Sequence, residues 1–212
     1  MNIKANISNL LNDLDNQIQL VAVSKTKPNN YILEAYQAGQ RIFGENKVQE
    51  LVEKHNILPD DIQWHMIGHL QTNKVKYIAP FVSLIHSVDS KKLLIEIDKR
   101  AKQNNRVIHC LLQIHIAQES TKFGLNENEA LELLEMNLSN ISIDGLMGMA
   151  TFTDDKRQIR SEFKYLKNTY EKVRSEFNNL FILSMGMSGD YDIAIKEGSN
   201  MIRIGSSIFG SR

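Results

Sequence analysis

The chain of 212 residues carries 25 Lys plus Arg against 25 Asp plus Glu, a formal charge of zero. That balance excludes a strong overall field for nucleic-acid backbones or anionic lipid, and the length suits one domain, residues 1–212, with a sizeable core. No stretch approaches the roughly 20 apolar residues of a membrane span, and the single cysteine, Cys110, has no internal disulfide partner. The expectation is an untargeted, soluble, cytoplasmic protein.

Ile3, Ile7, Leu10, Leu11 and Leu14 recur at helical spacing and predict an amphipathic opening helix. Residues 19–24 form a short β-branched run typical of a strand buried on both faces, and Lys25 follows it directly. A helix opened by Pro28 and ended by Gly39 comes next, then a brief strand at 41–43, a helix at 45–55 and a strand at 62–67. The rhythm continues with a helix at 73–78, a strand at 82–86, a helix at 90–102 and a long strand at 106–116. Asn126 and Glu129 make a capping-box pattern ahead of Ala130, Leu131, Leu134 and Leu138. A sixth strand at 141–147 precedes a long helix striped by Ile159, Phe163, Leu166, Tyr170, Val173 and Phe177. Strands at 180–183 and 201–204 close the series, with a helix between them from about Asp190 to a left-handed cap at Gly198. Eight βα units of this length predict an α/β fold, a (β/α)8 TIM barrel with an extra N-terminal helix. A doubly wound open sheet would give the same alternation.

In such a barrel the active face lies just past the C-terminal ends of the strands. Those positions hold Lys25, Gly44 to Asn46, Gly68 with His69, His86 with Ser87, the segment through Lys122 to Gly124, Gly148 to Thr151, Ser184 to Gly186, and Gly205 to Ser207. Lys25 stands where low dielectric would favour a neutral, nucleophilic amine suited to Schiff-base chemistry; the competing reading is a snorkelling lysine. Residues 184–189 contain two glycines and two hydroxyls ahead of a helix, so their backbone N–H groups could hold a phosphate, and Gly205, Ser206 and Ser207 make a second such turn beside Arg203. Neither a Walker A lysine nor a GxGxxG fingerprint is present, which argues against nucleotide. His65 and His69 span a strand end without an HExxH pattern, so no zinc site is expected. His109 and His115 share the fifth predicted strand and face one side. Cys110 reads as a small core residue, and the pairs Asp60-Asp61 and Asp154-Asp155 read as solvated loop residues that do not support a glycosidase.

The segments VAVSKTKP at 21–28, FGENKVQE at 43–50, WHMIGHLQTNK at 64–74, KFG at 122–124, GLMGMAT at 145–151, LSMGMS at 183–188 and RIGS at 203–206 together cover nearly the whole chain. In them the sequence resembles the YggS/PROSC family of pyridoxal phosphate-binding homeostasis proteins, whose barrel is shared with the N-terminal domain of alanine racemases, a fold-type III architecture. The resemblance favours the barrel over the open sheet. It implies pyridoxal 5′-phosphate (PLP) as cofactor, held as a Schiff base on Lys25, with Asn46 beside the ring, Arg203 facing the pyridine nitrogen, and phosphate contacts at Ser184, Gly186, Gly205 and Ser206. Met66 departs from a common phenylalanine and His115 from an expected asparagine. An arginine does not give up its proton, so it weakens the ring as an electron sink, and the second domain that completes a racemase is not expected in this chain. The implied function is intracellular PLP homeostasis without significant turnover, with apo PLP-dependent enzymes as possible recipients and a monomer or weak dimer as the expected state. The alternative is a small amino-acid racemase or lyase using His115 or Lys122 as its second acid/base.

Overall fold

The computed structural model describes residues 2–119 and 123–210. Eight parallel strands pair in chain order and close into a barrel: β1 (Gln19–Val23), β2 (Ile42–Glu45), β3 (Gln63–Met66), β4 (Leu84–Val88), β5 (Ile108–Gln113), β6 (Ile141–Met147), β7 (Ile182–Met187) and β8 (Met201–Ile204), with β8 returning to β1. Helices α1 (Ile3–Asp13), α2 (Asn29–Gln37), α3 (Val48–His55), α4 (Val75–Ile78), α5 (Lys91–Gln103), α6 (Glu127–Leu134), α7 (Lys156–Glu176), α8 (Tyr191–Lys196) and α9 (Ser206–Phe209) accompany them. The closed α/β barrel decides between the two architectures left open by the alternation. None of the helices among the described residues is long and apolar enough to cross a membrane.

Side chains alternate across a strand, and that alternation sorts the core into two parts. The larger cluster lies between strands and helices and takes Leu20, Ala22, Ile85, Cys110, Leu112 and Ile202. The smaller one fills the barrel itself, from Val21, Leu84, Leu111, Met147, Ile182 and Met201. Two residues further along the same faces, toward the C-terminal ends, stand His86, Gln113, Ser184 and Arg203, all buried, and His65 joins them from β3. The barrel interior is therefore apolar in its lower layer and polar in its upper layer. Burying polar groups costs stability unless they find hydrogen-bond partners, and the partners described below are drawn from the same layer.

Several local signals match the observed elements: the Asn126–Glu129 capping box, the positive φ of Gly39 and Gly198, and the bounds of β6 and β8. Three expectations are corrected. β5 is shorter than 106–116, because at Ile114 the chain leaves the ladder for a single bridge to Leu125. β2 extends to Glu45, so α3 begins only at Val48. Most consequential is β7, which runs on through Ser184 to Met187 where a glycine-rich turn was expected; a register shift against β8 lets Met187 pair with Arg203. Glycine is used there because Gly186 has φ +99° and an added Cβ would lie 2.7 Å from the Cβ of Ala194. The short α9 after β8 has no periodic signal in the sequence.

Candidate functional site

A cavity of about 540 Å³ opens at the C-terminal ends of β1, β2, β6, β7 and β8. Lys25, Asn46, Arg203, Gly205 and Ser206 all line it, drawn from positions up to 181 residues apart in sequence. Ser184 and Gly186 are not among its lining residues; instead Met187 and Ser188 of the same segment reach it. Ser188 was within the resembling motif but not among the expected contacts, and its signal was its place at the C-terminal tip of the strand.

Lys25 follows β1 on a short turn whose flanks are pinned by buried charges. The Ser24 hydroxyl donates to Glu45 Oε1 at 2.6 Å. Lys54 Nζ donates to the Ser24 carbonyl at 2.8 Å, to Glu45 Oε1 at 2.7 Å and to Glu50 Oε1 at 2.6 Å. Glu50 Oε1 in turn accepts from the Thr26 N–H at 2.6 Å. Burial holds the Glu45 carboxyl above the usual carboxylate range, with Lys54 opposing. Thr26 is held at φ +62°, a region that a β-branched residue enters only under constraint. Both backbone neighbours of Lys25 are thus fixed by one cluster.

Asn46 follows β2, the strand paired beside β1, and its Oδ1 is buried without a hydrogen-bond partner. A glycine is required beneath it, since a Cβ on Gly68 would lie 2.5 Å from the Asn46 carbonyl oxygen. Arg203 forms the floor at 3% exposure. Its Nη1 donates to Ser184 Oγ at 2.7 Å and its Nη2 to the Gly148 carbonyl at 3.0 Å. Burial lowers the guanidinium pKa to about 10, partly offset by the Asp190 carboxylate, so the group stays charged at neutral pH. One bond ties the loops after β7 and β8 together, Ser188 Oγ accepting from the Gly205 N–H at 3.1 Å, while Asp190 Oδ1 accepts from the Met187 N–H at 2.6 Å within the first of them. Lys27, also in the cavity wall, donates to the carbonyls of Phe209 and Gly210 at 3.0 Å each and so fastens α9 to the lysine turn.

The remaining candidates disperse. His65 bonds to His86, whereas His69 pairs with Asp89 at 2.9 Å and stacks on Phe123, so the two histidines face different partners. His109 pairs with Asp144 at 2.7 Å near the N-terminal end of β5, away from His115, whose Nε2 contacts the Glu119 carbonyl oxygen. His115 lines a separate narrow crevice with Gln113 and Phe123. Lys122 lies outside the described residues. Met66 is buried in the outer core, and Cys110 is buried with burial pushing its thiol pKa up. Asp61 is bonded to Tyr36 and Arg41, Asp155 caps α7, and Asp154 lines the cavity mouth.

Comparison with known proteins places this geometry among relatives. The family model described as alanine racemase, N-terminal domain, matches residues 1–212. A pyridoxal phosphate homeostasis protein of Aquifex aeolicus is 42% identical over 202 residues, covering 93% of this chain and 89% of the relative. The protein of the same name from Schizosaccharomyces pombe is 38% identical over 200 residues, covering 92% and 84%. Among solved structures, PipY of Synechococcus elongatus with PLP bound superposes with a TM-score of 0.89 at 34% identity, over 98% of this chain and 100% of that one. An alanine racemase of Clostridium difficile shares the fold alone, with a TM-score of 0.75 at 16% identity over 100% of this chain and 56% of that one.

Proposed function

Because the chain belongs to the family of pyridoxal phosphate homeostasis proteins, we propose that it binds pyridoxal 5′-phosphate covalently through Lys25 and serves as an intracellular reservoir rather than a catalyst. The observation that carries this reading is the convergence on one cavity of a lysine on a fixed turn, an asparagine with a buried unpartnered oxygen, and a charged arginine floor.

When bound, the cofactor supplies a reactive aldehyde and an electron-withdrawing ring. Lys25 is the amine that forms the covalent link, and the pinned Ser24 and Thr26 keep it aimed into the cavity. Asn46 offers its unpartnered oxygen as an acceptor beside the ring. Arg203, charged at neutral pH and a donor only, leaves the ring nitrogen unprotonated and so discourages carbanion chemistry. The Ser188 and Ser206 hydroxyls serve the phosphate; the Gly205 N–H is shared with Ser188. A cytoplasmic monomer that delivers the aldehyde to apo PLP-dependent enzymes completes the reading.

Loaded protein reduced with borohydride should carry the cofactor on Lys25 by mass spectrometry, and Lys25→Ala should lose both the adduct and the visible absorption. The loaded protein should reactivate an apo PLP enzyme and leave the optical rotation of L-alanine unchanged. A reduced adduct on another lysine refutes the site. Sustained racemisation at about 1 per second or faster, abolished by Lys25→Ala, establishes a racemase instead.

A further inference from the structure

Arg203 is not held by its neighbours alone. Its Nη1 donates to Ser184 Oγ at 2.7 Å, Ser184 Oγ lies 3.2 Å from His86 Nδ1, and His86 Nε2 lies 3.0 Å from His65 Nδ1. The four residues come from β8, β7, β4 and β3. Since β4 and β7 are not neighbours in the closed barrel, the Ser184–His86 contact crosses the interior. Every member is buried, with His86 and Ser184 at 0% exposure.

The chemistry of the groups gives this chain a direction. A guanidinium only donates, so Ser184 Oγ accepts from Arg203. The hydroxyl proton then goes to His86 Nδ1, the bare nitrogen of that ring. His86 therefore carries its proton on Nε2 and donates it to His65 Nδ1, leaving the His65 proton on its own Nε2. In this arrangement Ser184 and His86 each accept one hydrogen bond and donate one, His65 accepts the last, and both imidazoles are neutral.

We propose that Ser184, His86 and His65 are positioning residues: a one-way hydrogen-bonded chain across the barrel that fixes the Arg203 guanidinium as the rigid floor of the cavity, with Ser184 serving the arginine and not the phosphate. The proposal rests on the proposed PLP site for its effect on ligand. The hydrogen-bond chain itself is a property of the protein without ligand.

Two measurements test it. In apo protein labelled with 15N-histidine, at pH 7, long-range 15N–1H spectra should show His86 and His65 each with Nδ1 bare and Nε2 protonated. The opposite tautomer at His86, or a protonated ring at either position, overturns the chain. Second, PLP and pyridoxal are titrated into wild type, Ser184→Ala and Ser188→Ala. Ser184→Ala should keep the wild-type preference for PLP over pyridoxal within about twofold while the pH midpoint of the loaded protein's visible band shifts by half a unit or more. Ser188→Ala should lower the preference at least fivefold without that shift. A Ser184→Ala protein that loses the preference tenfold with an unmoved band would make Ser184 a phosphate contact and end the proposal. Wild type that binds neither compound defeats the proposed function, and the apo tautomer spectra then decide the hydrogen-bond chain alone.

Discussion

The cavity has two walls that solve one problem with opposite chemistry. On the lysine wall, a buried cluster of Glu45, Lys54 and Glu50 grips the backbone on either side of Lys25. On the arginine wall, a single buried cation donates to neutral partners, a hydroxyl and a carbonyl, with two imidazoles in line behind the hydroxyl. In a charged cluster each member compensates another, so deleting one strands the rest in low dielectric. A neutral chain loses one hydrogen bond at a time. The lysine turn should accordingly fail abruptly, and the arginine floor by degrees.

The largest effect is expected from Lys54→Met, which leaves Glu45 buried without its cation. A loss of about 3–5 kcal/mol is expected in denaturant unfolding, most of it recovered in Lys54→Met/Glu45→Leu. A single-variant cost below about 1 kcal/mol would place the Lys54 cluster in the class of surface ion pairs and erase the contrast between walls.

Acid comes next. Burial lowers His65 to about 3 and His86 well below the ordinary histidine value. Between the unfolded value near 6.5 and the folded one, the unfolded chain binds more protons than the folded protein, so stability falls as pH drops through that window. Each ring contributes a slope that rises to about 1.4 kcal/mol per pH unit below the unfolded value, or about 1.6 kcal/mol between pH 6.5 and 5. Unfolding curves for His65→Gln should show the slope reduced by one ring's share, and an unchanged slope would mean that His65 does not titrate on unfolding as its burial requires.

Ser188→Ala should cost about 1 kcal/mol of stability by freeing the Gly205 N–H that the hydroxyl now accepts from, measured as a lower urea midpoint with unchanged m. Thr26→Gly should do least: relief of the φ +62° strain set against a more flexible unfolded chain leaves a gain of at most about 1 kcal/mol. Loss of the proposed Lys25 link in that variant, with stability intact, would show that the strain itself aims the amine.

The division between what could and could not be read from the sequence follows the range of the interactions. The capping box at Asn126, the caps at Gly39 and Gly198 and the strand ending before Lys25 are local, carried by propensity within a few residues, and each is found where the spacing put it. The continuation of β7 through Ser184 was not legible because pairing with β8 outweighs the turn propensity of two nearby glycines. The Lys54 cluster spans residues 24 to 54, and the Arg203 chain joins residues 65, 86, 184 and 203 across a closed barrel. No window of periodicity contains either. Nothing local to a serine near two glycines announces that the strand register will bury it beside Arg203.

Cys110 takes on a different significance beside a cavity proposed to hold an aldehyde. It is the chain's single cysteine, and it faces the helix layer on the outer side of the barrel wall with no exposed surface. Burial also keeps it protonated, and only the thiolate is an effective nucleophile. Sulfur competes with nitrogen for carbonyl carbon, forming hemithioacetals that would divert an aldehyde from any lysine. Here that diversion is walled off on both counts, by the β-sheet between thiol and cavity and by the proton the thiol keeps.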